Sequence, residues 1–308
     1  GLRADYLIFD VDDHLDGVDN GLPHASGYTQ ELLLSPKLNA VLSLSPQVDL
    51  FVNGGKGFHS NDARNAVQIS QASTIRRALE RRGVSESEID AELNARYLPV
   101  AANGVSSVPA AYGAEVGGRV RIGSSAYVAT ALWWLDLDRE FVYVGDEAVT
   151  ELSGASRRVG VDLEGRVEPM PWLSLYGDVS LSRGRFRDEP DGLDNIPLAP
   201  RMTAVAGVSI RDQKGRQGSI QLRHIGDRPA NEDNTVTALG YSLLDAVVRY
   251  PVNDFVFSVS AQNLLDAGWN EAQFFTESRL SDETQPVSEL HFTPGDPLSV
   301  RVGVEYRF

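Results

Sequence analysis

The chain of 308 residues contains no cysteine, and it has fewer basic than acidic residues. Without cysteine there can be no disulfide bonds, thiolate metal ligands or cysteine nucleophiles within these residues, which suits an oxidising compartment. Lysine and arginine number 28 against 43 aspartates and glutamates, so the net charge is −15. A nucleic-acid partner would need basic patches, and this charge balance therefore argues against one.

Long apolar runs are also missing. No stretch approaches the roughly 18 consecutive apolar residues that a membrane-spanning helix needs. Hydrophobic residues nevertheless make up 42% of the chain. A transmembrane β-barrel alternates its apolar residues with polar ones, so the lack of apolar runs excludes spanning helices but not a barrel.

Such alternation is clearest at residues 297–308, which read PLSVRVGVEYRF. Successive side chains of a strand point to opposite faces. One face therefore carries only apolar and aromatic residues, namely Val300, Val302, Val304, Tyr306 and Phe308. This stripe is typical of the closing strand of outer-membrane barrels, and we expect it to be the membrane-insertion signal.

Similar segments recur along the chain and predict about twelve antiparallel strands. They lie at residues 1–11, 35–45, 48–57, 112–122, 126–143, 156–168, 172–185, 200–212, 217–226, 240–250, 255–264 and 297–308. Short turns alternate between them with long polar loops, which lie at 12–34, 58–111, 144–155, 186–199, 227–239 and 265–296. Short turns at one end and long loops at the other are typical of an outer-membrane barrel, whereas a β-sandwich has no reason to sort its loops.

The order of the connections also predicts an orientation. If the last strand runs towards the periplasm, every long loop is extracellular and every short turn is periplasmic. The chain then begins at Gly1 on a strand that already belongs to the pattern. We therefore expect residues 1–308 to be the C-terminal portion of a longer barrel.

Several phrases of the sequence resemble the C-terminal half of TonB-dependent outer-membrane receptors. They are SPKLNAVLSLSP (35–46), GKGFHSNDAR (55–64), GAEVGGRVRI (113–122), ALWWLDLDREFVYVGDE (131–147), SRRVGVDLEGRV (156–167) and PWLSLYGDVSLSRGRF (171–186). The run NLLD at 263–266 stands where the family usually has Asn-Leu-Phe-Asp, and VRVGVEYRF ends the chain. These phrases are spread over nearly the whole chain.

The resemblance implies an all-β, antiparallel transmembrane barrel of 22 strands, of which this chain would supply about twelve. It also implies a plug domain and a TonB box, both outside residues 1–308. The implied function is active import of a scarce ligand, most often a ferric siderophore, powered by the TonB–ExbB–ExbD system through the plug. Further implied partners are the barrel-assembly machinery and lipopolysaccharide, and no cofactor is implied.

Two other interpretations stay open at this point. The chain could belong to a passive, porin-like outer-membrane channel without a plug, or to an adhesin or phage-docking barrel. Only the importer needs a plug and a TonB-binding segment, so sequence upstream of Gly1 would separate these alternatives.

The loop at 58–111 is unusually long, and it predicts a helical insertion at about residues 69–97. STIRRALERRG (73–83) has helical spacing with Gly83 just beyond the helix end. Ser85 and Glu88 form a capping box for a second helix at 86–96. The cluster of Arg76, Arg77, Arg81 and Arg82 could meet lipopolysaccharide phosphates or an anionic ligand, or it could be a solvated helix face.

Candidate ligand-binding residues lie where the third strand would leave the membrane, at the extracellular rim. They are Phe58, His59, Asn61, Asp62 and Arg64. Arginine can pair with carboxylate or phosphate groups, and phenylalanine offers a stacking face. A hydrogen-bonded loop base is the alternative role. Four other aromatic residues are expected in an interfacial girdle, with ligand contact as the alternative role, namely Trp133, Trp134, Phe141 and Tyr143.

No metal site or catalytic site is predicted. The aspartates of the first long loop lack the glycine and glutamate spacing of an EF-hand calcium loop; they are Asp10, Asp12, Asp13, Asp16 and Asp19. The five histidines are scattered without metal-ligand spacing. No nucleophile motif points to an enzyme.

Overall fold

The structure, a computed structural model, describes residues 1–12, 14, 26–59, 63–94, 108–144, 149–279, 281 and 284–308. The strands in this part of the chain are β1 (Leu2–Val11), β2 (Gly27–Ser45), β3 (Val48–Phe58), β4 (Ala110–Ile122), β5 (Ala126–Leu137), β6 (Glu140–Val144), β7 (Val149–Ser153), β8 (Ser156–Met170), β9 (Leu173–Phe186), β10 (Met202–Arg211), β11 (Gln217–Ile225), β12 (Arg228–Pro229), β13 (Thr237–Ala238), β14 (Tyr241–Val252), β15 (Phe255–Gln262), β16 (Asn270–Ser278), β17 (Val287–Pro294) and β18 (Ser299–Tyr306). The helices are α1 (Ala63–Arg81) and α2 (Glu86–Asn94).

Twelve of these strands form one sheet in the order β1-β2-β3-β4-β5-β8-β9-β10-β11-β14-β15-β18. The prediction of an all-β fold with about twelve antiparallel strands is confirmed. Tight turns join alternate pairs of strands: Gly123 and Asn253 have φ angles of 63° and 53°. Glycine and asparagine tolerate this left-handed backbone, which allows the chain to reverse within a few residues.

Two predicted strand boundaries are wrong. The second strand begins at Gly27 instead of residue 35, because Gly27–Pro36 pairs with β1 in an unbroken register from Val11 to Leu2. The fifth strand ends at Leu137 instead of residue 143, because β6 leaves the main sheet and pairs with β7 in a separate hairpin. Alternation alone cannot tell which partner a segment will pair with.

Two further hairpins lie within long loops for which the sequence predicts no strands. The β12–β13 hairpin consists of two residue pairs. The β16–β17 hairpin is much longer and runs in register from Ser278 and Val287 to Asn270 and Pro294, with an irregularity at Ala272. The loop at 265–296 is therefore built around a regular hairpin, whereas the loop at 227–239 contains only a short one.

Contacts within the chain define two compact units. The first comprises Gly1–Asn39, Asn53–Ala114 and Leu135–Ser156. The second comprises Ala40–Val52, Glu115–Trp134 and Arg157–Phe308. The first unit contains both helices, and the second contains the strands from β8 onwards apart from the start of β8.

The two helices supply much of the buried core of the first unit. Val67 and Ile69 of α1, and Ile89 and Leu93 of α2, are at most 2% exposed. The structure shows α1 beginning ten residues before the predicted start at 73. Its buried face includes polar residues, Asn65 and Gln68, and these interrupt the apolar period by which helices are recognised.

Both helix ends follow the predicted chemistry. Gly83, with φ of 74°, lies just beyond the end of α1, where a left-handed residue closes a helix. Before α2, the hydroxyl of Ser85 donates to the Glu88 carboxylate across 2.6 Å, and the Ser85 N–H donates to the same oxygen. No helix among the described residues is both long and apolar enough to cross a membrane.

Candidate functional site

The sheet of the second unit has one continuous apolar face. Directly opposite residues of an antiparallel pair point to the same face. Val302 lies opposite Val259, which in turn lies opposite Val248. Large side chains of this face are 42–75% exposed; they include Val208, Ile220, Val248, Phe257, Val259, Val302 and Val304. Such a wide exposed apolar surface is unfavourable in water and suits contact with lipid.

The predicted insertion stripe lies on this apolar face. Val300, Val302, Val304 and Tyr306 lie opposite Ala261, Val259, Phe257 and Phe255. The rings of Phe255 and Tyr306 are 5.1 Å apart, and the ring of Phe308 follows at 6.2 Å from that of Tyr306. The structure thus brings the stripe together with the aromatic residues of β15, while its role as an insertion signal stays a prediction.

The opposite face of the same unit is polar, and its charges pair with one another. Arg249 pairs with Glu305 across 2.9 Å, and Glu305 also accepts from Arg307 across 3.2 Å. On neighbouring strands Arg223 pairs with Asp245 across 2.7 Å. A face that is polar and internally paired is what the interior of a transmembrane barrel requires.

Trp133 and Trp134, both predicted for the girdle, lie on opposite faces of β5. The Trp133 indole packs over Gly160 on the polar face, where a Cβ atom on Gly160 would lie 2.4 Å from its Cζ2 atom. Trp134 lies on the apolar face, with the Arg157 guanidinium 5.8 Å from its ring centroid. The girdle interpretation therefore fits Trp134 and is wrong for Trp133; the side chains of Phe141 and Tyr143 lie outside the described residues.

In the first unit, α1 packs on the face of the β1–β2 hairpin that carries Thr29 and, opposite it, Phe9. Thr29 is buried and donates to the Ser70 hydroxyl across 2.9 Å, and Gln71 donates to the Ser26 carbonyl across 3.0 Å. Leu32 and Leu34, at the alternate positions of β2, are 65% and 52% exposed on the other face. Among the described residues, α1 therefore covers one face of this hairpin, and the face that carries Leu32 and Leu34 stays exposed.

In the second unit, three of the long loops are tied together by hydrogen bonds that sequence reasoning missed. Asn195 donates from both its backbone and side-chain nitrogens to the carbonyl oxygen of Glu232. The amide of Gln273, which is 3% exposed, bonds both the N–H and the C=O of Leu239. Hydrogen bonds from the Thr235 N–H and hydroxyl hold the pKa of Asp233 below its usual value. These loops form an ordered platform at the long-loop end.

Asn263 is the centre of the last loop. Its Nδ2 donates to the carbonyl oxygens of Ala267 and Asp296, and its Oδ1 accepts from the Ala267 N–H. The same Asp296 carbonyl accepts from the Trp269 indole, whose ring lies 4.8 Å from that of Tyr241. The NLLD motif, which begins at Asn263, marks this position in the sequence. Its structural role is to close the base of the last long loop.

The predicted rim residues are only partly described. Phe58 ends β3 with the Arg3 guanidinium 6.0 Å from its ring centroid, and the His59 N–H donates to the Pro109 carbonyl. Asn61 and Asp62 lie outside the described residues, and Arg64 falls within α1, with its side chain also outside them. The described contacts are those of a hydrogen-bonded loop base.

No group of three or more metal-ligating side chains occurs in the part of the chain that the structure describes. Asp10 belongs to β1 and Asp12 follows it. Asp13, Asp16 and Asp19 lie outside the described residues.

A family model described as "TonB dependent receptor-like, beta-barrel" matches residues 1–264. The ferrioxamine receptor of Yersinia enterocolitica is 30% identical over 109 residues, which are 35% of this chain and 15% of that protein.

Among solved structures, the copper transporter OprC matches with a TM-score of 0.66 and 13% identity, over 99% of this chain and 44% of its own. The ferric yersiniabactin uptake receptor FyuA of Yersinia pestis matches with a TM-score of 0.60 and 15% identity, over 91% of this chain and 38% of its own. At these identities the likeness concerns the fold. The chain spans less than half the length of each of these relatives.

Proposed function

This chain belongs to the TonB-dependent receptor family, as part of the outer-membrane β-barrel, and we propose that the protein imports a scarce ligand, specifically a ferric siderophore. The remaining strands, the plug and the TonB box would lie outside residues 1–308. The barrel portion described by the structure would supply part of the wall and part of the ligand-binding surface at the long-loop end.

The observation that carries this proposal is the combination of a two-faced sheet with an ordered loop platform. A passive pore needs only a sheet with one apolar and one polar face, and it does not need the loop platform. Hydrogen bonds such as those of Asn195 and Gln273 hold three loops in one arrangement, and rigid loops on a scaffold are typical of binding surfaces. The platform therefore favours a receptor over an open channel.

The siderophore is proposed from the names of the relatives. They include a ferrioxamine receptor and a ferric yersiniabactin uptake receptor, although a copper transporter also matches. Iron chelates are thus the first ligand class to test, and copper the second.

The proposed partners follow from the family. TonB–ExbB–ExbD would act through the plug, and the barrel-assembly machinery would act through the stripe that ends at Phe308. Lipopolysaccharide would surround the outer part of the apolar face. The predicted rim residues remain candidates for ligand contact, namely Phe58, His59, Asn61, Asp62 and Arg64.

The test uses the full-length protein in a Gram-negative strain that lacks its own siderophore receptors. Iron-limited cells receive radiolabelled ferric hydroxamate, catecholate or carboxylate chelates, and copper as a separate arm. We expect uptake of one iron chelate that stops when TonB is deleted. Uptake that persists without TonB would support the passive channel instead, and uptake of copper alone would move the ligand from iron to copper.

Orientation is tested in the same cells with single cysteines in place of Ser87, in α2, and Pro171, in a short turn. A membrane-impermeant maleimide should label the first position and not the second. The reverse pattern would invert the proposed assignment of long loops to the outside.

A further inference from the structure

A cavity lies on the polar face of the second unit, at the end where the short turns are. Its volume is about 420 Å³, and Arg166, Arg211 and Arg249 are among its lining residues. This volume falls in the range of small-ligand sites, roughly 300–1,000 Å³. Three arginines around one cavity are unexpected in a chain with a net charge of −15.

The strand register explains why two of these arginines face the same space. Arg211 of β10 lies opposite Gln217 of β11, which lies opposite Arg249 of β14. Opposite residues share a face, and adjacent strands are about 4.8 Å apart, so the two arginines are separated by two strand spacings. Gln217 lies between them with its amide on the same face.

The neighbouring row adds hydroxyl groups. Ser209 lies opposite both Ser174 and Ser219, and all three line the cavity. Serine hydroxyls can donate hydrogen bonds to an oxyanion. The wall of the cavity thus carries an Arg–Gln–Arg row beside a row of three serines.

These donors are available for a ligand. Among the residues that the structure describes, the Arg211 guanidinium has no ion-pair partner and the three serine hydroxyls have no hydrogen-bond partner. Arg166 pairs with Glu168 across 2.8 Å and Arg249 with Glu305 across 2.9 Å, and the paired side chains are 44–51% exposed. Ion pairs with that exposure are weak and can be exchanged for another anion.

We propose that this cavity is an anion-binding site that holds a carboxylate or phosphate group between Arg211 and Arg249. Arginine presents a planar fork of donors that matches such groups in a bidentate manner. Trp172, whose carbonyl accepts from the Arg211 N–H across 2.8 Å, places a 48% exposed indole beside the site. The group is carried either by a free anion or by an acidic side chain of the receptor outside residues 1–308.

The test uses the purified full-length receptor in detergent at low ionic strength, with inorganic pyrophosphate as the probe and titration calorimetry as the readout. If the site takes a free anion, the unmodified receptor binds pyrophosphate, and Arg211→Gln weakens binding roughly tenfold or more, the loss expected for one charge-assisted contact. Arg211→Lys keeps the positive charge but lacks the planar pair of donors, and its affinity for pyrophosphate should lie between those of the unmodified receptor and Arg211→Gln. Arg216→Gln is the matched control, since Arg216 bonds Asp212 in the turn and does not line the cavity.

If an acidic side chain of the receptor fills the site, pyrophosphate does not bind, but the melting temperature reports the contact. The unmodified receptor then melts at a lower temperature in high salt, because salt screens the pair, and Arg211→Gln lowers the melting temperature at low salt and makes this salt dependence smaller. Pyrophosphate binding that is equal in the unmodified receptor and Arg211→Gln would overturn the proposal. So would an absence of binding together with a melting temperature and salt response that Arg211→Gln leaves unchanged.

Discussion

The hydroxyl of Thr29 in β2 lies 2.9 Å from that of Ser70 in α1 and donates a hydrogen bond to it. This contact attaches the helical insertion to the sheet. Replacing both residues by cysteine should give a disulfide on mild oxidation, because the two side chains already approach within the range that a disulfide spans. The chain has no cysteine of its own, so the cross-link can be read as a mobility shift on a non-reducing gel.

The matched control pairs Thr29→Cys with Thr74→Cys. Thr74 lies one turn further along α1 and is exposed, so we expect no cross-link from it. A disulfide at Thr74 but not at Ser70 would contradict the packing of α1. If the cross-linked receptor still imports ligand, the insertion is a fixed part of the wall and not a moving lid.

Asn263→Ala should loosen the base of the last long loop. It removes three side-chain hydrogen bonds to Ala267 and Asp296, at roughly 1 kcal/mol each. Asn263 also has a φ of 52°, so Asn263→Gly separates the loss of the side chain from backbone strain. Limited proteolysis within 270–294 should speed up in both variants, and more in the alanine one. Wild-type resistance in both would show that the amide does not hold the loop.

Gly160→Ala should displace the Trp133 indole. The added Cβ would lie 2.4 Å from Trp133 Cζ2 and 2.8 Å from the Leu181 carbonyl oxygen, and overpacking of this kind costs about 1–3 kcal/mol. Gly165→Ala, in the same strand, is the control, since the nearest neighbour of its Cβ would be the Gly177 carbonyl oxygen 4.0 Å away. Tryptophan fluorescence and the unfolding temperature should change in the first variant only; equal changes in both would contradict the contact.

Deleting Phe308 should reduce assembly into the outer membrane, because it shortens the stripe that pairs with β15 by its terminal aromatic residue. Arg307→Ala is the control, since it alters the polar face and leaves the stripe intact. Assembly is measured as the fraction of heat-modifiable barrel in membrane extracts. Normal assembly of the Phe308 deletion would show that the stripe is not the insertion signal.

The start of α2 should weaken at low pH. Hydrogen bonds from the Ser85 hydroxyl and N–H hold the pKa of Glu88 below its ordinary value of 4.5. The stabilisation is therefore fully present above that value and is lost as the pH falls through the lowered pKa in the folded state. Hydrogen exchange of the α2 amides should accelerate as the pH falls through that lowered pKa, once the intrinsic pH dependence of exchange is divided out. Glu88→Gln should remove this pH dependence, and an unchanged pH profile in that variant would contradict the capping role.

The sequence by itself determined the twelve strands of the main sheet, their two faces and the alternation of short and long connections. Each of these is encoded locally: the stripe from Val300 to Phe308 has a period of two residues, and the capping box of Ser85 and Glu88 spans four positions. The family phrases are local too, and for that reason they indicate the family from the sequence alone. The sequence also located the helices. The first half of α1 was not predicted, because its buried face includes the polar residues Asn65 and Gln68.

The tertiary structure decided which distant residues meet. Asn263 and Asp296 are 33 positions apart, and nothing local predicts that the amide of one will bind the carbonyl of the other. The register of three strands places Arg211 and Arg249 in one row, and a shift of one residue would have turned Arg211 to the opposite face. Pairing and loop packing depend on contacts between segments far apart in the chain, and for those the period of a single segment contains no information.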